Sequence, residues 1–148
     1  MLKISKLADY AVMVLGALAE AGEASVSATE LAQAARLPQT TAAKVLKLLA
    51  RSGLVQASRG VSGGYKLPRR AADISVTEII AAIDGPVKLT DCVGASHSCL
   101  HSTCGIRGRW DPVNRALVTA LNEVSLADML ARTPLPFEKP VQVVEATQ

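Results

Sequence analysis

The chain is short of cysteine, of aromatic residues and of long apolar runs. Three cysteines in 148 residues, Cys92, Cys99 and Cys104, cannot form the framework of a disulfide-stapled domain, and their odd number leaves a thiol over in any pairing. One Trp, two Tyr and one Phe suit a helical protein built on Ala, Leu and Val, since 49% of the residues are apolar. The longest apolar run, Tyr10 to Ala19, is too short to cross a bilayer and is flanked by charges, so no membrane role is expected. The start, Met1-Leu2-Lys3-Ile4-Ser5, lacks the apolar core and cleavage site of a signal peptide. A cytoplasmic, reducing location is therefore expected, where thiols stay free for metal. There is also no Cys-x2-Cys redox pair and no triad-like grouping, which disfavours a thiol–disulfide enzyme and enzymes generally.

Acidic residues are missing from one long stretch. Between Leu31 and Ala72 stand eight Lys/Arg (Arg36, Lys44, Lys47, Arg51, Arg59, Lys66, Arg69, Arg70) and no Asp or Glu. The rest of the chain holds eight basic residues against all thirteen acids, a net −5, although the whole chain is only +3. Charge segregated in this way is a footprint for a polyanion, or else an ordinary solvated basic face.

The periodicity in the first half predicts a winged helix-turn-helix. Leu7, Ala11, Val14, Leu15 and Leu18 mark a helix from about Ser5 to Glu20, ended by Gly22. Ser27-Ala28-Thr29-Glu30 is a capping box opening a second helix. Pro38 is expected in the first turn of a third helix that runs to about Ser52 and stops at Gly53. On that third helix Thr40, Lys44, Lys47 and Arg51 share one stripe, while Ala42, Val45, Leu46 and Leu49 lie opposite. A helix apolar on one side and lined with Thr, Lys and Arg on the other suits base edges and phosphates. Thr40, Thr41 and Lys44 are the candidates for base contacts, and Lys47, Arg51 and Arg59 for phosphate or minor-groove contacts. The runs Leu54–Ser58 and Tyr65–Leu67 around a Gly/Ser turn read as a β-hairpin wing, whose Gly60, Ser62 and Tyr65 are further candidates for DNA contact.

In the second half, Ser75-Val76-Thr77-Glu78 is another capping box, opening a short helix that ends at Asp84-Gly85-Pro86. From Val87 to Cys104 there is little to bury and no period, so a ligand is needed to organise a loop there. Asp111-Pro112 reads as the cap and first turn of a long helix through Val113, Leu117, Val118 and Leu121, unless that helix starts nearer Cys104 and kinks at Pro112. Ser125 opens a last short helix. A long apolar helix beyond a small domain calls for a partner surface, and a homodimer reading two half-sites of a palindromic operator in double-stranded DNA supplies it. The expected fold is mainly α with a small β-hairpin. It divides into a winged helix-turn-helix (1–70), a connecting helix (71–86), a cysteine loop (87–106), dimerisation helices (107–132) and a flexible tail (133–148).

The cysteines follow the pattern Cys-x6-Cys-x4-Cys, with His97 and His101 interleaved. Thiols so clustered suit an iron–sulfur cluster, which accepts irregular loops and a non-cysteine fourth ligand. Zinc, with His97 or His101 completing three cysteines, unliganded redox-active thiols and a disulfide formed on oxidation are the alternatives.

These residues resemble one family. Leu2-Lys3-Ile4-Ser5 to Asp9-Tyr10-Ala11-Val12, Pro38-Gln39-Thr40-Thr41 to Leu54-Val55, the wing Arg59-Gly60-x-x-Gly63-Gly64-Tyr65-x-Leu67 and the three-cysteine loop are similar to the iron–sulfur winged-helix transcriptional regulators of the IscR and NsrR type. Within it the chain looks most like the regulators of the Suf iron–sulfur assembly operon. The resemblance implies a cytoplasmic homodimer, most simply a repressor, whose DNA binding follows cluster occupancy at Cys92, Cys99 and Cys104. The assembly-regulator branch places a histidine three residues after the last cysteine, where this chain has Arg107. The nitric-oxide-sensing branch uses an N-terminal aspartate of the partner subunit, a position matched by Asp9, with His101 as the local alternative. A 4Fe–4S cluster is accordingly expected ahead of 2Fe–2S. A nitric-oxide or redox sensor, and a zinc-stabilised DNA-binding protein without a sensing role, are the alternative functions.

Overall fold

The computed structural model describes residues 3–91, 93, 105–106 and 108–131. Helix α1 (Lys6–Ala21) begins at Ser5, whose hydroxyl accepts from the Ala8 N–H, and ends at Gly22, which takes a φ of 63°. Helix α2 (Ala28–Ala34) opens with both bonds of the Ser27/Glu30 capping box in place. Helix α3 (Gln39–Arg51) follows a tight turn in which the Leu37 N–H donates to the Ala32 carbonyl at 2.9 Å. Arg36 occupies this turn at a φ of 54°, the one non-glycine residue with positive φ among the described residues. The helix-turn-helix is thereby fixed by local backbone geometry.

Pro38 was expected inside the first turn of α3, but it is the residue before the helix, in an extended conformation with ψ 140°. It still accepts the Ala42 N–H, so it starts the helix without joining it. In place of a side-chain cap, the Gln39 amide donates to Thr29 Oγ1 at 2.8 Å and ties the start of α3 to α2.

The hairpin pairs β1 (Gln56–Ser58) antiparallel with β2 (Gly64–Lys66), with Ala57 opposite Tyr65. The first strand is shorter than the expected Leu54–Ser58 run. The Leu54 and Val55 amides both turn back to the Leu49 carbonyl, and their side chains enter the core. The hairpin is anchored at its base, where Val26 and Tyr65 exchange both backbone hydrogen bonds, at 2.8 and 2.9 Å.

A 3-10 turn (Ala71–Asp73) leads to α4 (Val76–Asp84), again opened by a complete capping box, Ser75 with Glu78. Helix α5 (Asp111–Asn122) starts at Asp111, preceded by turns among the described residues, so it does not extend back toward Cys104. Asp111 is its first helical residue rather than its cap, and Trp110 takes the cap position. Helix α6 (Leu126–Leu130) is capped by Ser125 and Asp128. One core joins these elements: Leu15 and Leu18 of α1, Leu31 of α2, Leu46 and Leu49 of α3, Ile79 of α4 and Leu126 of α6 are all essentially inaccessible to solvent. The expected architecture, mainly helical with a small antiparallel hairpin, is the observed one.

Candidate nucleic-acid interface and the approach to the cysteine segment

Helix α3 separates its two faces as its sequence requires. Ala42, Val45, Leu46 and Leu49 are buried against α1, α2 and α4. Thr40, Lys44, Lys47 and Arg51 are exposed on the other side, and Thr41 is half-buried at the boundary. Arg59, Gly60 and Ser62 are exposed at the tip of the hairpin. Tyr65 differs from these. It is half-buried, packs on the core and bonds to Val26 through its backbone, so it supports the base of the wing.

The wing tip depends on close backbone approach. A Cβ on Gly63 would lie 2.5 Å from the Ser58 carbonyl oxygen and 2.8 Å from the Arg59 carbonyl carbon. Any larger residue there would push the two sides of the tip apart.

The basic stretch is less free than its composition suggests. Arg69 pairs with Glu78 at 2.7 Å and Arg70 with Asp73 at 3.0 Å, so two of its cations are neutralised by acids just beyond it. Both partners respond: the Arg70 guanidinium holds the Asp73 carboxyl below its ordinary range, and the Ser75 N–H, with help from Arg69, does so for Glu78. Arg36, Lys44, Lys47, Arg51, Arg59 and Lys66 have no ion pair among the described residues. The cationic surface that remains is carried by the helix-turn-helix and the hairpin, where a polyanion would meet it.

Cys92, Cys99, Cys104, His97, His101 and Arg107 lie outside the described residues, as does the tail expected at 133–148. The described residues that flank the cysteines are informative. Asn114 on α5 is 8% exposed, the one buried polar residue among the described residues. Its Oδ1 accepts from the Leu89 N–H at 2.9 Å and its Nδ2 donates to the Val87 carbonyl at 3.2 Å. Val93 is buried, and its N–H donates to the Thr90 carbonyl at 3.1 Å. Two side-chain oxygens, Thr90 Oγ1 and Asp111 Oδ1, are buried without a hydrogen-bond partner among the described residues. Orphaned buried oxygens are uncommon in a finished structure. Three thiols within thirteen residues are a donor set suited to iron and sulfide. The residues present therefore fit an iron–sulfur group.

Asp9 is exposed in the first turn of α1. It lines a largely apolar groove of about 390 Å³ with Ile80, Leu121 and Met129. Asn114 and Thr90 carry no motif, Asp111 is read only as a helix cap, and nothing in the sequence marks the Asn114 bonds to Val87 and Leu89. The pairing of Arg69 with Glu78 across nine positions is likewise unmarked in the sequence, although Glu78 is read in a capping box.

The fold and its cationic face define a winged-helix transcriptional regulator, not an enzyme. Residues 4–132 match the Rrf2 family, described as "Iron-dependent Transcriptional regulator", and the chain belongs to that family. It is 28% identical over 132 residues to the HTH-type transcriptional repressor NsrR of Streptomyces coelicolor, covering 88% of this chain and 89% of that protein. Its fold is similar to CymR (YrzC), the global cysteine regulator of B. subtilis, with a TM-score of 0.69 and 26% identity over 90% of this chain and all of that one. It is also similar to T. potens IscR, with a TM-score of 0.63 and 30% identity over 87% of this chain and 86% of that one. No helix among the described residues is long and apolar enough to cross a membrane.

Proposed function

We propose that this regulator is a cytoplasmic homodimeric repressor whose grip on a palindromic operator depends on an iron–sulfur cluster held by Cys92, Cys99 and Cys104. The observation that carries this reading is the confinement of every cysteine of an Rrf2-family chain to one short segment between α4 and α5. A family described as iron-dependent needs a site for iron, and these thiols supply soft ligands. The partner subunit's Asp9 is the fourth ligand we favour, because Asp9 is exposed in a largely apolar groove, with His101 as the alternative. A 4Fe–4S cluster is favoured over 2Fe–2S.

The cluster, when bound, supplies a tie between the cysteines that oxidants and nitric oxide destroy. The chain's own residues do the rest. Thr40, Thr41 and Lys44 are placed for base contacts, Lys47 and Arg51 for phosphate, and Arg59, with Gly60 and Ser62, for an adjacent groove. A second copy finds an apolar strip on α5, where Trp110 and Val113 are exposed ahead of half-buried Leu117 and Leu121 at helical spacing. Iron–sulfur assembly genes of the Suf type are the regulon this reading favours. A ligand changes operator affinity only by binding two conformations unequally, so metal affinity and operator affinity are reciprocally coupled.

Anaerobic purification with iron, sulfide and zinc analysis tests the reading. A brown protein with matching iron and sulfide, lost in Cys92→Ser, Cys99→Ser and Cys104→Ser, supports it, and Asp9→Ala beside His101→Ala identifies the fourth ligand. Colourless protein with stoichiometric zinc would leave a zinc-stabilised DNA-binding protein instead.

A further inference from the structure

Asn114 is a buried carboxamide that bonds the main chain at two positions two residues apart, through its oxygen to the Leu89 N–H and through its nitrogen to the Val87 carbonyl. The N–H of one residue and the carbonyl two residues before it are the pair that an extended chain presents to a neighbouring strand. A carboxamide carries one acceptor and one donor edge, so it takes the place of that missing strand. The bonds span 25 and 27 positions of sequence, and nothing else in the sequence relates these segments. Cys92 follows Leu89 by three residues. Next to it, Val93 is buried and closes a turn onto Thr90. Helix α5 in turn meets α4, where Thr77 Oγ1 reaches the Val118 carbonyl at 3.5 Å, and α4 packs on α3.

We infer that Asn114 is a positioning residue that locks the main chain leading into the cysteine segment onto α5, so that a change in what the cysteines hold is felt by that helix. This rests on the metal-sensing reading above. Asn114 touches neither metal nor DNA in this role. It transmits, and its loss separates two properties that the wild type keeps together.

The test uses the full chain with two substitutions. Asn114→Leu keeps the shape and removes both hydrogen bonds, while Asn114→Asp keeps the acceptor for Leu89 and sets a negative charge against the Val87 carbonyl. Two quantities are read: amide exchange at Leu89 and Val93, and the ratio of operator affinities for protein loaded with iron and sulfide and protein stripped by chelator. In Asn114→Leu, exchange at Leu89 is expected to quicken on the order of tenfold or more, with α3 amides unchanged. Iron and sulfide content should persist while the affinity ratio falls toward one, with Asn114→Asp in between. The inference is overturned if Leu89 exchanges as in wild type, or if the affinity ratio survives in Asn114→Leu. Wild type that carries no cluster, or shows a ratio of one, sinks the sensing reading itself. That failure appears before any variant is compared, so the two are told apart.

Discussion

The Arg69 guanidinium lies 2.7 Å from the Glu78 carboxylate and fastens the chain leaving the wing to the first turn of α4. Glu78 also accepts the Ser75 N–H at 2.9 Å, and this bond first, then Arg69, holds its pKa below the ordinary glutamate value. A carboxyl whose pKa is lower in the folded state adds stability above its unfolded value, about 4.3. That contribution is lost as pH falls through the folded value. Both side chains are over 40% exposed, so solvent screens the ion pair and it is worth about 0.5 kcal/mol or less.

Glu78→Gln, which can still close a capping box, is therefore expected to cost well under ~1 kcal/mol at pH 7. Its cost should shrink as pH falls below the ordinary glutamate range and wild-type Glu78 takes up its proton. Glu78→Ala loses the cap as well and should cost about 1 kcal/mol. Urea denaturation at pH 3, 5 and 7 measures all three. A Glu78→Gln penalty that does not change with pH would show that charge plays no part here.

The exposed stripe of α3 gives a second expectation. Lys47→Ala and Arg51→Ala should each weaken binding to every DNA sequence and make the logarithmic salt dependence shallower by about one unit. Thr40→Ala and Lys44→Ala should instead narrow the gap between operator and random DNA, by about 1–3 kcal/mol for a lost base contact. Fluorescence anisotropy on both DNAs across a salt series makes the distinction. Loss of operator binding in Lys47→Ala with an unchanged salt slope would remove Lys47 from the phosphate contacts.

Much of this interface was legible because amphipathic spacing and capping boxes are local. Ser27 with Glu30, Ser75 with Glu78 and the Ala42, Val45, Leu46, Leu49 face each declare themselves within a turn or two of helix, and the structure has them as read. The length of β1 and the place of Pro38 were not legible. Whether Leu54 and Val55 extend a strand or turn into the core is decided by packing against α3, a tertiary matter. The Asn114 bonds to Val87 and Leu89 were hidden for the same reason. An asparagine on a helix looks like surface until the segment it meets is known, and that segment has no periodicity of its own. The basic stretch was overcounted because the acids that neutralise Arg69 and Arg70 sit just past its end.

Gly63 offers a test of the wing apart from the core. An added methyl would meet backbone atoms of Ser58 and Arg59, which cannot swing aside as a side-chain end would. Gly63→Ala should cost about 1–3 kcal/mol, paid within the hairpin by opening its tip. Helical circular dichroism should persist while DNA affinity drops, because the exposed Arg59 is no longer held in place. Wild-type affinity in a folded Gly63→Ala protein would mean that the tip does not reach DNA.

Two leucines of α6, four residues apart, separate burial from mere proximity. Leu126 is fully buried, its N–H donating to the Ile74 carbonyl at 2.7 Å, whereas Leu130 remains 40% exposed. Leu126→Ala removes a core side chain at a site walled in by α1 and the 3-10 turn, and should cost about 2–5 kcal/mol. Leu130→Ala should cost under ~1 kcal/mol, since its atoms are already partly in water. Leu130 also crowds Gly16, where a Cβ would lie 2.8 Å from Leu130 Cδ2. That atom is the free end of an exposed side chain and can move aside. Gly16→Ala should thus be near neutral or gain up to ~1 kcal/mol from helix propensity, and combining it with Leu130→Ala should remove any residual clash. Thermal and urea unfolding of the four proteins measures these differences. A Leu126→Ala protein as stable as wild type would detach α6 from the core and make it an appendage of the winged helix.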